Sequence, residues 1–319
     1  MSDLTSRRET APCKTLTVCR VCKGQLELAL RGSDPEYEPS AFSPSYHHVG
    51  THGDLYRCGD CGTVHQLSLP RGRELHDLYR EISDERYIRE EEGRRREARR
   101  LLDLLGAHVP RGRLLDVGCG YGLLLDEARR RGYDVEGVEL WVDAVQYARK
   151  RLSLPVREMA FEDAALGSAL DSERYDAVLA VDVLEHFDDP VVALDRMCAL
   201  LAPGGALLIV TADPSSLVAR VTGSHWWCYE PAHVCLIPRK TLHGLIRARG
   251  LAIAEDVPFV HTFTLGYWLM GLSERLGWAG GAIAYAAARV PRTMMLTASL
   301  RDDRVLLARH IGTRARTRS

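Results

Sequence analysis

From Arg113 onward, short apolar runs alternate with stretches whose apolar residues recur at helical spacing. The runs Arg113–Val117, Asp134–Glu139, Val156–Glu158, Ala177–Val181 and Ala206–Thr211 predict strands. Gly122–Arg131, Val142–Arg151 and Pro190–Leu201 predict helices, so the segment reads as βαβ units around a parallel sheet. After Pro238, Lys240–Gly250 predicts a helix closed by a glycine cap, followed by two more strands, Leu251–Val260 and Arg304–Ile311. Residues 262–300 between those strands are too many for a hairpin turn and predict a helical cover inserted between them.

The first third has a different texture. Residues 1–14 are polar and read as a loose tail, as does the basic C-terminal TRARTRS. Residues 15–70 are rich in Cys, Gly, Pro, Ser and His and read as a small zinc-ribbon-like module. Residues 71–110 connect it to a domain spanning 111–319. Their EEEGRRREARRLLDLL core predicts a helix that is solvated early and packs late through Leu101, Leu102, Leu104 and Leu105.

Composition narrows the function classes. The 319 residues carry 42 Lys plus Arg against 43 Asp plus Glu, a balance that argues against a nucleic-acid partner gripped by charge. The longest uncharged stretch, Val257–Ser273, is 17 residues, short of the roughly 20 needed for a membrane span. Nine cysteines without a signal-peptide pattern at the N-terminus predict thiols in a reducing, cytoplasmic setting.

The segment RLLDVGCGYG carries the most chemistry. A strand ends in Asp116, and Gly118, Gly120 and Gly122 follow at the turn into a helix, which lets a ligand approach the backbone. The next strand ends in Glu139, where a carboxylate can hold a ribose with two free hydroxyls. Either feature alone suits a dinucleotide as well. Together, LDVGCGYG, VEGVEL, YDAVLAVDVLEHFDDP and LLAPGGALLIVT resemble the class I S-adenosylmethionine-dependent methyltransferases, nearest to their ubiquinone-type and small-molecule branch. The resemblance implies an α/β, doubly wound, seven-stranded sheet of order 3-2-1-4-5-7-6. It implies that Asp116, Gly118, Gly120 and Gly122 surround the methionine part of S-adenosylmethionine and that Glu139 accepts from its ribose. Leu140 and Trp141 would lie beside the adenine with Phe161 and Glu162 opposite, and Asp182 and Val183 beneath the sulfonium. Cys119 reads as a small space-filling residue.

Cys19-Arg-Val-Cys22 and Cys58-Gly-Asp-Cys61 are separated by 35 residues, a spacing that can close four thiolates on a structural Zn²⁺. A cysteine module ahead of a methyltransferase domain also resembles the zinc-containing C-methyltransferases of nucleotide-linked deoxysugars, which carry a further C-terminal domain. The loop SHWWCYEPAHVCLIP supplies aromatic and polar candidates for an acceptor pocket, namely Trp226, Trp227, Tyr229 and Glu230, with His225 as a packing or pocket residue. Methyl transfer to oxygen needs a proton acceptor, and His233 is the first candidate with His186 the second. The expected activity is methylation of a small molecule at oxygen, in a natural-product or sugar and cell-envelope pathway, by a protein that can form a homodimer. Sugar C-methylation, RNA methylation and an inactive scaffold are the competing readings.

Overall fold

The cysteine-rich segment forms three short antiparallel strands, β1 (Leu26–Leu30), β2 (Leu55–Cys58) and β3 (Val64–Gln66). The computed structural model describes residues 18–33, 37–45, 51–162, 170, 173–273 and 280–310; both terminal tails lie outside the described residues. The charged connector, read as connecting helices, is three of them, α1 (Arg73–Arg80), α2 (Glu85–Arg89) and α3 (Glu91–Gly106). Asp84 makes the break, because its side chain caps α2 by accepting from the Arg86 and Tyr87 amides. Leu101, Leu102 and Leu105 are buried as their spacing required, but so are Arg95 and Glu97 in the half expected to be solvated. Arg95 is kept inside by Glu91, Asp126 and Glu127 at 2.8–3.0 Å.

The alternating region supplies β4 (Arg113–Val117), α4 (Leu123–Arg130), β5 (Asp134–Glu139), α5 (Val142–Arg151), β6 (Val156–Glu158), β7 (Tyr175–Val181), α6 (Pro190–Ala199) and β8 (Leu201–Ala212). Then follow α7 (Leu217–Thr222), β9 (Cys235–Leu236), α8 (Arg239–Ala248) and β10 (Leu251–Pro258). The chain continues through β11 (His261–Thr264), α9 (Leu265–Ser273), α10 (Gly280–Ala287), β12 (Met295–Ala298) and β13 (Asp303–His310). The main sheet runs β10-β13-β8-β7-β4-β5-β6, with β13 antiparallel to both neighbours. That is the seven-stranded order expected. The central strands are nearly continuous Val, Leu, Ile and Ala because helices cover both faces, and a separate apolar core fills each side.

The structure adds two features to the expected organisation. The cover at 262–300 is not purely helical: β11 and β12 pair antiparallel and carry the two helices. The module at 15–70 also reaches beyond its own residues. Its sheet takes a fourth strand, β9, from the middle of the larger domain, pairing His65 with Cys235 and Val64 with Leu236. Two residues in an aromatic loop carry no readable alternation, so this pairing leaves no mark in the sequence.

Candidate active site

In a doubly wound sheet, ligands bind beyond the carboxyl ends of the strands where the order reverses. Here β4 and β7 flank that point, and a cavity of about 760 Å³ opens there. Its floor is the glycine turn. Gly118 and Gly120 have φ of +72° and +50° and line the cavity. A Cβ on Gly118 would lie 2.5 Å from Val183 Cγ2, so only glycine lets the turn pass beneath that side chain. Gly122 is the last glycine of the turn. It does not line the cavity but precedes α4 in a left-handed conformation, packed where a Cβ would meet Leu154 at 2.7 Å. Cys119 is buried packing against Gly137, as its size suggested.

Glu139 sits at the end of β5 and holds the turn closed. It accepts from the Gly120 amide at 2.7 Å, from Leu140 at 2.6 Å and from Trp141 at 2.9 Å. Burial pushes its pKa up, and these three amides oppose the rise. Asp116 beside it is pushed up to about 8 by burial and then by the Glu139 charge. Two adjoining buried carboxylates are suited to a cationic ligand, which would lower both. Leu140, Trp141, Phe161 and Glu162 line the same lobe. Trp141 is fixed through Nε1 to the Ile82 carbonyl at 2.6 Å, and Glu162 accepts from the Asp188 and Asp189 amides. Asp182 and Val183 follow β7 at the centre of the cavity, Asp182 with a φ of +50°. For a non-glycine residue such a value marks local strain of the kind concentrated at functional sites.

Beyond this lobe lie the histidines. His233 Nδ1 donates to the Cys228 carbonyl at 2.7 Å, which fixes the ring and leaves Nε2 as the lone-pair nitrogen of the neutral form. Nε2 lies 3.1 Å from Glu230 Oε1. Burial lowers the His233 pKa, but Glu230 and then Glu185 outweigh it, and the net direction is upward. His186 has the opposite setting. Burial and the neighbouring His233 depress it to about 3, and its Nδ1 is engaged by the Tyr79 hydroxyl at 2.8 Å. Of the two, His233 is the stronger proton acceptor.

The aromatic loop divides. Trp227 and Glu230 line the cavity. Trp226 and Tyr229 do not: both are buried against one another in a third apolar cluster, and Trp226 Nε1 donates to Asp302 at 2.9 Å. A Trp with a buried N–H partner is a packing residue, and sequence cannot separate that from a pocket wall. His225 lies outside the cavity lining. Several lining groups carried no motif: Tyr87, Arg94 and Glu97 from the connecting helices, and His261, Asp302 and Asp303 near β11 and β13. His261 Nε2 lies 2.8 Å from Asp303 and its Nδ1 3.6 Å from Glu97, so it is held well above the usual histidine range against its burial. An isolated histidine inside the longest uncharged stretch is the one mark this cluster leaves in the sequence.

The four paired cysteines converge. Cys22 and Cys58 sulfurs are 3.4 Å apart, Cys19 and Cys61 3.6 Å, and all four fall within 4.8 Å of one another without a disulfide among them. Zn–S bonds of about 2.3 Å place tetrahedral sulfurs roughly 3.8 Å apart, so the donor set fits Zn²⁺. His65 Nε2 touches Cys19 Sγ at 3.3 Å from the strand paired with β9. Gln66, next along, donates to the Pro231 carbonyl at 2.9 Å and receives the Gly53 amide, splinting the loop that carries Glu230 and His233.

A family model described as "Methyltransferase domain" matches residues 90–256. The chain belongs to this methyltransferase family. Its class I, S-adenosylmethionine-dependent character agrees with the sheet order and the glycine turn. A "Ubiquinone biosynthesis O-methyltransferase" of Cereibacter sphaeroides is 33% identical over 175 residues, covering 51% of this chain and 68% of that protein. The human mitochondrial "Ubiquinone biosynthesis O-methyltransferase" is 28% identical over 189 residues, covering 54% of this chain and 50% of the relative. Among solved structures, magnesium protoporphyrin IX methyltransferase from Synechocystis aligns with a TM-score of 0.46 at 16% identity, covering 72% of this chain and 88% of the other. The cysteine module and the insertion at 262–300 fall outside the methyltransferase match.

Proposed function

We propose that this methyltransferase methylates a hydroxyl of a small-molecule acceptor, with His233 as the proton acceptor. When bound, S-adenosylmethionine supplies an electrophilic methyl group on a positive sulfur that departs as a neutral thioether. Asp116, Gly118, Gly120 and Glu139 line the lobe suited to its methionine and ribose portions, and Leu140, Trp141, Phe161 and Glu162 the lobe for its base. The work left to the protein is alignment and removal of one proton. His233 Nε2 would take the proton of the acceptor hydroxyl as that oxygen attacks the methyl group the bound cofactor would supply. The observation that carries this reading is the fixed tautomer of His233, with Nε2 turned toward Glu230 on the wall of the cavity.

The acceptor half is acidic. Glu97, Glu185, Glu230, Asp302 and Asp303 line it, while Arg94 is the one arginine and no lysine appears among the described lining residues. Arg94 lies 3.7 Å over the Tyr87 ring. This field favours a neutral or cationic hydroxyl compound over a nucleotide-linked sugar in a polysaccharide or natural-product pathway. Incubating the enzyme and its His233→Ala variant with S-adenosylmethionine and fractionated small-molecule extracts tests the reading. The expected product carries a methyl ether by NMR, formed at least about a hundredfold more slowly by the variant, with cofactor affinity retained. Methylation at carbon or nitrogen, or unchanged turnover, refutes it.

We further propose that Cys19, Cys22, Cys58 and Cys61 hold a structural zinc ion. Four protein ligands leave no open position for chemistry. Elemental analysis of the purified protein should give one zinc per chain, and none in a Cys58→Ser/Cys61→Ser variant.

A further inference from the structure

Among the described residues nine large apolar side chains are exposed, and five of them, Leu272, Tyr285, Met294, Leu296 and Leu300, belong to the insertion. The two helices there, LGYWLMGLS and GGAIAYAA, contain no Asp, Glu, Lys or Arg and pack against each other. A monomer seldom leaves so many apolar side chains of one segment open to water without a use for them. The face is held in place. Its β11–β12 base is bound by Glu97 of α3, which accepts from the Thr262 amide at 2.6 Å, and by Glu90 just before that helix, which accepts from the Thr264 amide at 2.7 Å. Trp268 Nε1 donates to the Leu296 carbonyl at 3.1 Å, tying helix to strand.

Among the described residues of the two helices and the segment that follows them, charge around the face has one sign. Arg289, Arg292 and Arg301 are exposed on its rim, and no acidic residue occurs between residues 280 and 301. Arg289 lies 3.3 Å over the Tyr285 ring, and Tyr285 itself is exposed. Uncharged helices with aromatic residues and arginines at the margin match a segment lying in the boundary between lipid headgroups and acyl chains. Crossing is not at issue, since no helix among the described residues is long and apolar enough to span a bilayer. The insertion also reaches the cavity: Leu272 and Leu300, both exposed, line it together with Trp268 and Gly271.

We propose that this face seats the enzyme on an anionic lipid surface, with the cavity mouth turned toward the bilayer. The inference holds whatever atom of the acceptor is methylated. The test is sedimentation of the full chain with vesicles of phosphatidylcholine alone or mixed with phosphatidylglycerol, at low and high salt. Binding should require phosphatidylglycerol and weaken with salt. Arg289→Gln/Arg292→Gln should lower it about thirtyfold, and Tyr285→Asp/Met294→Asp should abolish it. Both variants should keep the parent melting temperature and S-adenosylmethionine affinity, which separates loss of docking from loss of fold. Absence of binding to either vesicle, or equal binding to both, overturns the proposal. So does a dimer in sedimentation equilibrium that Tyr285→Asp/Met294→Asp converts to monomer, since the face would then be covered by a second copy.

Discussion

Replacing Gly118 by Ala isolates the feature on which the cofactor lobe depends. Two costs add. Placing an L-residue at a φ of +72° costs about 1–2 kcal/mol. The new methyl would lie 2.5 Å from Val183 Cγ2 and 2.9 Å from its Cβ, an overlap that either moves Val183 or reopens the turn, for about 1–3 kcal/mol more. Gly132 provides the control: its φ is +88°, yet nothing lies within 4 Å of the site of its missing Cβ, so Gly132→Ala carries only the backbone term. At about 2–4 °C per kcal/mol for a domain of this size, Gly118→Ala should melt several degrees below Gly132→Ala by calorimetry. Titration with S-adenosylhomocysteine should find weakened binding for Gly118→Ala alone. Adding Val183→Ala should recover part of both losses, because it removes Cγ2, the nearer of the two atoms in collision, and leaves only Cβ. Equal melting of the two glycine variants, or no recovery in the double variant, would refute the steric argument.

Other outcomes follow from the same geometry. Because Glu230 holds the His233 pKa up, turnover should rise with pH through a value above the ordinary 6.5. Glu230→Gln should move that limb of the kcat/KM profile to more acidic pH, and an unmoved limb would separate His233 from the proton transfer. The same pair stabilises the fold below the unfolded histidine pKa and ceases to do so as pH rises through the folded one, so acid-side stability should fall in Glu230→Gln. Glu139→Ala removes the acceptor of three amides and should weaken cofactor binding at least about tenfold by calorimetric titration. Gln66→Ala should lower kcat while leaving S-adenosylmethionine affinity unchanged, and Gln66→Glu, which keeps the Oε acceptor for Gly53, should restore little because the donor to Pro231 is lost.

The parts of the site readable in the sequence are those built from one continuous segment. Asp116 through Gly122 and Glu139 lie at the ends of adjacent strands, and a glycine repeat at a strand-to-helix turn is needed chiefly where a ligand must reach the backbone. The four cysteines are legible on similar grounds, since each pair sits within a tight turn. What sequence does not reach is assembled across distance. The Glu97–His261–Asp303 cluster draws on three elements, and no spacing rule links them. As loop residues Trp226 and Tyr229 look identical to Trp227 and Glu230; burial against Asp302 and one another distinguishes them only in three dimensions. The charged helix reads as solvated because the acids that bury Arg95 come mainly from α4, which lies beyond a whole strand in the chain.

The strand borrowed from residues 235–236 has a consequence for biogenesis. The cysteine-bearing segment cannot complete its own sheet until about 170 further residues have followed it out of the ribosome. During that interval the cysteine turns stand without their neighbour, and Thr241, which later donates to the Cys61 carbonyl, has not yet been made. An early metal clip at the four thiols would hold the turns in shape for that late arrival. Excising the first seventy residues would strip a neighbour from the loop bearing His233, so a truncated catalytic half should emerge inactive even where it remains soluble.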